Sequence, residues 1–210
     1  PGRLVCTAHT VASICSMHSR SENPGHEEAR KELQRRDNLL GAFILSVSDR
    51  LRRETEEAIG HTGASAAALI MIAQFPDRSI EFLRRPIGLS HPATVRVVDR
   101  LVEQGLVRRG PAGPGPAVAL TATAAGKRQA RRILEIRQAV IADSLPKLSP
   151  AESDALVAVL ERALGQLSES PGTTHCRLCD MKRCPRTDCP VVHKQIELGA
   201  PPPEPVPVPD

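Results

Sequence analysis

Four cysteines crowd into the stretch HCRLCDMKRCPRTDCPVVHK: Cys176, Cys179, Cys184 and Cys189, separated by two, four and four residues. Thiolates at such spacing, in a turn-prone loop with Pro185 and Pro190, can close a tetrahedral shell around a divalent ion. A shell made wholly of protein ligands is structural rather than catalytic. His175 and His193 flank the set as alternative ligands or supporting donors. So short a segment has little apolar core, and metal binding would supply its folding free energy. Zinc is the expected ion. An iron–sulfur cluster and a reversible thiol switch are the rivals. Structural disulfides are disfavoured, since nothing else marks the chain as exported.

The second group able to do chemistry is basic. From Arg84 to Arg132 ten Lys or Arg stand against two acidic residues, a net +8, so the remainder carries −4 of the overall +4. A basic middle between acidic flanks is the electrostatic footprint of a polyanion-binding surface. Inside it, residues 79–121 (SIEFLRRPIGLSHPATVRVVDRLVEQGLVRRGPAGPGPAVALT) read as short helix, turn, longer helix, then two strands joined by a Pro/Gly loop. That order describes a winged helix-turn-helix, which lays one helix into the major groove of DNA.

The longer helix is capped by Ser90, tolerates Pro92 in its first turn, and runs to Gln104 before Gly105 stops it. At 100° per residue, Val95, Val98 and Val102 form the core stripe with Leu101 at its margin. Ala93, Val97, Arg100 and Gln104 then face outward, with Arg96 and Thr94 on the flanks. Arg can read guanine edges or hold phosphates, and Ala or Val can meet a thymine methyl. Ser90, His91 and Thr94 lie near the helix N-terminus, where base contacts begin. The candidate DNA-binding set is therefore Ser90, His91, Ala93, Thr94, Arg96, Val97 and Arg100, with Arg108 and Arg109 from the first wing strand.

Other elements must hold these residues in place. Hydrophobic content is 40%, but with three Phe and no Trp or Tyr the core must come from Leu, Ile, Val and Ala, which favours packed helices. Leu40, Phe43, Val47 and Leu51 recur at helical steps within a long helix expected from Glu27 to Gly60. A nearly all-apolar helix, Ala64 to Gln74, should be buried. The short helix is expected from Ser79 to Arg85, with Pro86–Gly88 as the turn. The wing strands are expected at Val107–Arg109 and Val118–Leu120, followed by a long helix from Thr121 to about Leu145. Ser149 with Glu152 three residues on is a capping-box signature for a last amphipathic helix. The expected organisation is a disordered segment 1–26 (Met17 being a candidate start), a dimerisation helix 27–62 and a winged domain 63–121. Dimerisation helices 122–168, a Cys-rich metal-binding motif 174–194 and a disordered Pro-rich tail 195–210 follow. The fold class is mainly α (α+β).

The run from about Leu33 to Leu167 resembles the MarR family of winged-helix transcriptional regulators. The resemblance rests on LSHPATVRVVDRLVEQGLVRR, on ALTATAAGK at the wing-to-helix junction, and on LSPAESDALVAVLERAL. It implies a homodimer whose long terminal helices interleave, reading a palindromic duplex site, with a possible small-molecule effector. Residues 33–51 and 133–164 also carry more apolar surface than one small core absorbs. The family's wing usually presents an Arg before the second strand, where Pro116 stands here, so minor-groove contact is expected to fall to Arg108 or Arg109 or be lost. The cysteine spacing resembles a zinc knuckle with Cys184 in place of the usual His.

The leading expectation is thus a cytoplasmic, dimeric, sequence-specific duplex-DNA-binding regulator acting as a repressor, responsive to a small molecule or to the metal or redox state of the tail. The alternative is a zinc-knuckle module for single-stranded nucleic acid with a helical dimerisation body. Catalysis is not expected: no Gly-rich phosphate loop, nucleophile elbow or HExxH-type site occurs. No apolar run approaches the ~18 residues of a spanning helix, so no membrane partner is expected.

Overall fold

The computed structural model describes residues 24–111, 118–168, 177–184 and 187–200. The N-terminal segment with Met17, the wing tip with Pro116, Cys176 with His175, and the Pro-rich stretch from residue 201 lie outside the described residues. The chain divides into two units at Ser46/Val47, inside the long helix α1 (Pro24–Ile59). In the first unit α1 leaves Leu33, Leu39, Leu40, Phe43, Ile44 and Leu45 exposed.

The second unit is built around α2 (Gly63–Gln74), whose residues Ser65–Ile72 are all buried. A helix apolar on every face is stable only when surrounded. α3 (Ile80–Ile87), α4 (His91–Glu103), α5 (Ala124–Ser144) and the wing strand β2 (Val118–Ala122) all pack on it. The shared core takes in Leu83 and Ile87 from α3, Val98 and Leu101 from α4, and Ala130 and Ile133 from α5.

Local chemistry sets the joints. Ser79 caps α3 by accepting from the Phe82 N–H at 3.2 Å. The helix continues through Pro86 to Ile87, two residues beyond the sequence expectation, and closes at Gly88 in the left-handed region (φ 70°), whose N–H reaches back to the Arg84 and Arg85 carbonyls. Proline in the last turn ends the helix later than its ring alone suggests, because the left-handed glycine supplies the closing hydrogen bonds. Ser90 caps α4, and its hydroxyl accepts from the Ala93 N–H at 3.4 Å.

β1 (Val107–Pro111) and β2 pair antiparallel, Val107 opposite Ala122 and Pro111 opposite Val118. The strands are longer than expected, and Thr121 and Ala122 belong to β2 rather than to the following helix. Asp77 (φ 62°) and Arg78 bond backbone to Leu120, and the Thr121 hydroxyl donates to the Asp77 carboxylate at 2.7 Å. These bonds tie the base of the wing to the α2–α3 turn. α5 starts at a Thr123 cap and lies against the turn after α4 so closely that Gly126 faces the Leu106 carbonyl.

α6 (Pro150–Leu167) begins with the anticipated capping box: Ser149 Oγ accepts from the Glu152 N–H, and Glu152 Oε2 accepts from the Ser149 N–H at 2.8 Å. No α6 residue is buried, and Val157, Leu160, Leu164 and Leu167 form an exposed apolar stripe. α7 (Pro190–Glu197) was not anticipated; it packs on α6, with Val191 buried. The segment expected as a disordered tail from residue 195 therefore begins inside a helix. Among the described residues no helix is long and apolar enough to cross a membrane.

Candidate nucleic-acid interface

α4 is the longer helix of the helix-turn-helix, and its rotation decides which side chains a ligand can meet. Thr94 and Val98 are fully buried, Leu101 likewise, and Val97 is 6% exposed. Two expected contact residues, Thr94 and Val97, are therefore withdrawn into the core. The Thr94 hydroxyl is satisfied there by the Ser90 carbonyl at 3.0 Å, so burial leaves no orphaned polar group. Ala93 is half-buried, while Val95 and Val102, taken as core stripe, are only half-buried. The core side of α4 is where α2, α3 and β1 converge, roughly a quarter of a turn from the stripe expected at Val95, Val98 and Val102.

The outward face carries Ser90, His91, Arg96, Arg100, Glu103 and Gln104, all exposed. Arg96 and Arg100 are one turn apart and project from the same side. Neither forms an ion pair among the described residues, and neither does the exposed Arg108 of β1. Arg109 differs: its guanidinium is held at 2.7 Å from the Asp99 carboxylate of α4. His91 Nδ1 lies 4.0 Å from Glu81 Oε2, and the same carboxylate accepts from Arg84 Nε at 2.7 Å. That hydrogen bond holds the Glu81 carboxyl below its usual range, with Arg84, Arg85 and His91 adding to the effect through their charge. Arg85, Lys127 and Arg128 add further exposed positive charge on α3 and α5. Such a surface can hold phosphates along a backbone while two arginines reach into a groove.

Asp99 as the Arg109 partner was missed by sequence reasoning. Ten residues separate them, and only the turn at Gly105 folds β1 back against α4. A cleft of about 450 Å³ between α1 and α5, lined by Arg53, Glu54, Glu57, Ala58, Arg132 and Ile136, was likewise not legible. It lies beside the Arg50 guanidinium, which bonds Glu54 at 2.7 Å and Asp143 at 3.1 Å.

Of the four clustered cysteines, three are described: Cys179 half-buried, Cys184 exposed and Cys189 buried. Burial, then the neighbouring Cys189 and Cys179, pushes the Cys184 thiol up from its ordinary pKa. His193 Nε2 is engaged by the Thr187 carbonyl. Among the described residues no three His, Cys, Asp or Glu side chains form a group that could hold a metal ion.

Residues 59–115 match the family model described as MarR family, a narrower span than the resemblance drawn from sequence. A MarR family protein from Bacillus stearothermophilus has a similar structure, with a TM-score of 0.57 at 21% identity over 67% of this chain and 98% of that one. YusO from Bacillus subtilis gives 0.56 at 20% identity, covering 66% and 97%. A putative MarR family transcriptional regulator from Listeria monocytogenes, solved with a 26mer DNA, gives 0.51 at 17% identity, covering 62% and 87%. No curated protein matches the chain. Residues 59–115 carry the MarR family match, and the fold of the chain is the mainly helical winged helix-turn-helix of these structures.

Proposed function

We propose that the chain is a sequence-specific duplex-DNA-binding transcription regulator that acts as a homodimer and represses by occupying its site. The observation that carries this reading is the outward face of α4. It presents Arg96 and Arg100 one turn apart, free of ion pairs among the described residues, and Arg108 is exposed on the first wing strand. The DNA-bound Listeria monocytogenes structure, with the same fold, supports the assignment. The base-reading set shrinks to Ser90, His91, Arg96 and Arg100, with Ala93 at the margin; Thr94 and Val97 support the helix from beneath.

Dimerisation is supported by the apolar stripe of α6 and by the exposed leucines and Phe43 of α1, which a second copy would remove from water. Twofold symmetry would then present two α4 helices to half-sites about one helical turn apart. The cleft between α1 and α5 is the candidate effector site. It adjoins the helix whose first turn abuts Leu106, just beyond α4, so a ligand there could shift the recognition helix.

The test is selection of fragments from random duplex DNA, followed by affinity measurement on the selected duplex and on its single strands. Duplex preference is expected, with Arg96→Ala and Arg100→Ala each costing about 1–3 kcal/mol if they read bases. If they hold phosphates instead, each should lower the salt slope by about one. Preference for single strands, or indifference to both substitutions, would overturn the reading.

A further inference from the structure

The C-terminal part of the described chain is anchored at two places that the DNA-binding reading does not use. The first is the end of α2. Gln74, its last residue, donates from Nε2 to the Cys179 carbonyl at 3.1 Å and accepts at Oε1 from the Met181 N–H at 2.9 Å. One side-chain amide thus satisfies a carbonyl and an N–H of the same backbone stretch, which fixes register as well as contact. Leu178 and Met181 pack against the apolar core through which α2 runs. The stretch is shaped for this seat. The Asp180 carbonyl accepts from the Arg183 and Cys184 N–H groups at 3.1 and 3.0 Å, and Asp180 Oδ1 accepts from the Lys182 N–H at 3.0 Å. The second anchorage is α6. There α7, with Val191 buried, is the chief packing partner of α6 among the described elements. No α6 residue is buried, and residues 145–149, which join α6 to α5, form neither helix nor strand. So loosely held a helix needs a further tie to keep one orientation against the winged domain.

We propose that the segment from Arg177 to Cys184, together with α7, is an intramolecular strap that couples α6 to the winged domain. Gln74, Leu178 and Met181 hold one half on α2, and Val191 holds the other half on α6. Gln74 is the positioning residue of this device, since its amide seats the tail on the helix against which α3, α4 and α5 pack. With the strap seated, α6 keeps one position relative to α4. With it released, α6 moves about residues 145–149. Such a device is a two-state element with few buried contacts on the tail side, drawn from the less stable end of the fold. In a dimer built through α6, its state would set the spacing of the two α4 helices.

The experiment uses the full chain under reducing conditions, with two readouts that involve no nucleic acid. Hydrogen exchange followed by mass spectrometry reads the docking. Gln74→Ala removes both amide bonds, and Leu178→Ser removes an apolar contact from the tail side while leaving α2 intact. Gln74→Ala should speed exchange across residues 177–184 by about 5–100-fold, the range for two lost hydrogen bonds, and Leu178→Ser should speed it in the same residues. α3 and α4 should keep parent rates in both, which separates release of the strap from loss of the fold. Pulsed electron resonance between spin labels carried on non-cysteine side chains at the exposed positions Glu103 of α4 and Glu161 of α6 reads the coupling. Labelled chain is diluted with unlabelled chain, so that only the distance within one protomer is seen. The parent should give one narrow distribution, broadened by Gln74→Ala, by Leu178→Ser, and by Val191→Asp, which detaches the other anchorage. Parent exchange rates across residues 177–184 in both Gln74→Ala and Leu178→Ser would overturn the docking. A distribution as narrow in all three variants as in the parent would overturn the coupling.

Discussion

Replacing Gly126 by Ala should destabilise the winged domain, although helix propensity argues the other way. In an open helical position Ala would be favoured by up to about 1 kcal/mol. Here an added Cβ would stand 2.0 Å from the Leu106 carbonyl oxygen and 2.9 Å from its carbon, where ordinary contact begins at 3.4 Å. Backbone meets backbone, so no side chain can swing aside, and α5 must back away by about 1.4 Å. The N-terminus of α5 is tied to the same carbonyl: the Thr123 N–H donates to Leu106 O at 2.9 Å, and its hydroxyl donates to Gly105 O at 2.8 Å. Loss of these two bonds costs about 1 kcal/mol each, and overpacking adds about 1–3 kcal/mol. Against the propensity gain, the net loss is about 2–4 kcal/mol, which lowers the melting temperature of a chain this size by roughly 5–15 °C. Far-ultraviolet circular dichroism reads the transition directly; with no Trp or Tyr, intrinsic fluorescence offers little. Because Leu106 follows α4 almost directly, duplex affinity should fall as well. A melting temperature equal to or above that of the parent would refute the close-approach argument, since propensity alone predicts that outcome.

Three further outcomes follow from the same structure. Asp99→Asn should free Arg109 from its 2.7 Å pair and remove a negative charge from the recognition helix. An exposed pair is worth up to about 1 kcal/mol, so duplex binding should tighten by up to about fivefold, and unchanged affinity in a titration would count against the interface. The Ser149 hydroxyl, then its backbone N–H, holds the Glu152 carboxyl below its usual range. Its stabilising contribution is therefore present above the unfolded pKa and lost as pH falls through the depressed folded value. Glu152→Gln should melt below the parent at neutral pH and converge with it in acid, and a pH-independent gap would contradict the capping box. Leu160 is 49% exposed, so about half of the ~1.5–3 kcal/mol of full leucine burial is at stake in each protomer of a dimer. Leu160→Ser should then weaken self-association about 10–100-fold in sedimentation analysis; an unaltered dimer would move the interface elsewhere.

Much of the framework was legible in the residues. Ser90 and Ser149 announce helix starts because a cap is a three-residue interaction, complete within its own segment. The unbroken apolar run of α2 can only be a buried helix, and the Gly105 stop followed by alternating strand residues places β1. The basic residues of the middle of the chain, among them Arg85, Arg96, Arg100, Arg108 and Arg128, are exposed, as their charge leads one to expect. Pro86 misled because its local preference to end a helix is overridden by the left-handed closure at Gly88. α7 went unseen because PVVHKQIE is too short for periodicity to register.

Sequence alone located α1 to α6 to within a few residues, though not α7, and showed that a basic winged helix-turn-helix lies at the centre of the chain. Only tertiary structure decided which face of α4 looks outward. The valines at 95, 97, 98 and 102 span an arc of roughly 160° at 100° per residue, and local pattern does not fix the centre of so wide an arc; the convergence of α2, α3 and β1 chooses it, and takes Thr94 and Val97 inside. The Asp99–Arg109 pair and the hydrogen bonds joining the Gln74 side-chain amide to the backbone of Cys179 and Met181 belong to the same class. They join residues 10 and more than 100 positions apart, and no local preference along a chain encodes a contact that exists only once its two ends have been folded together.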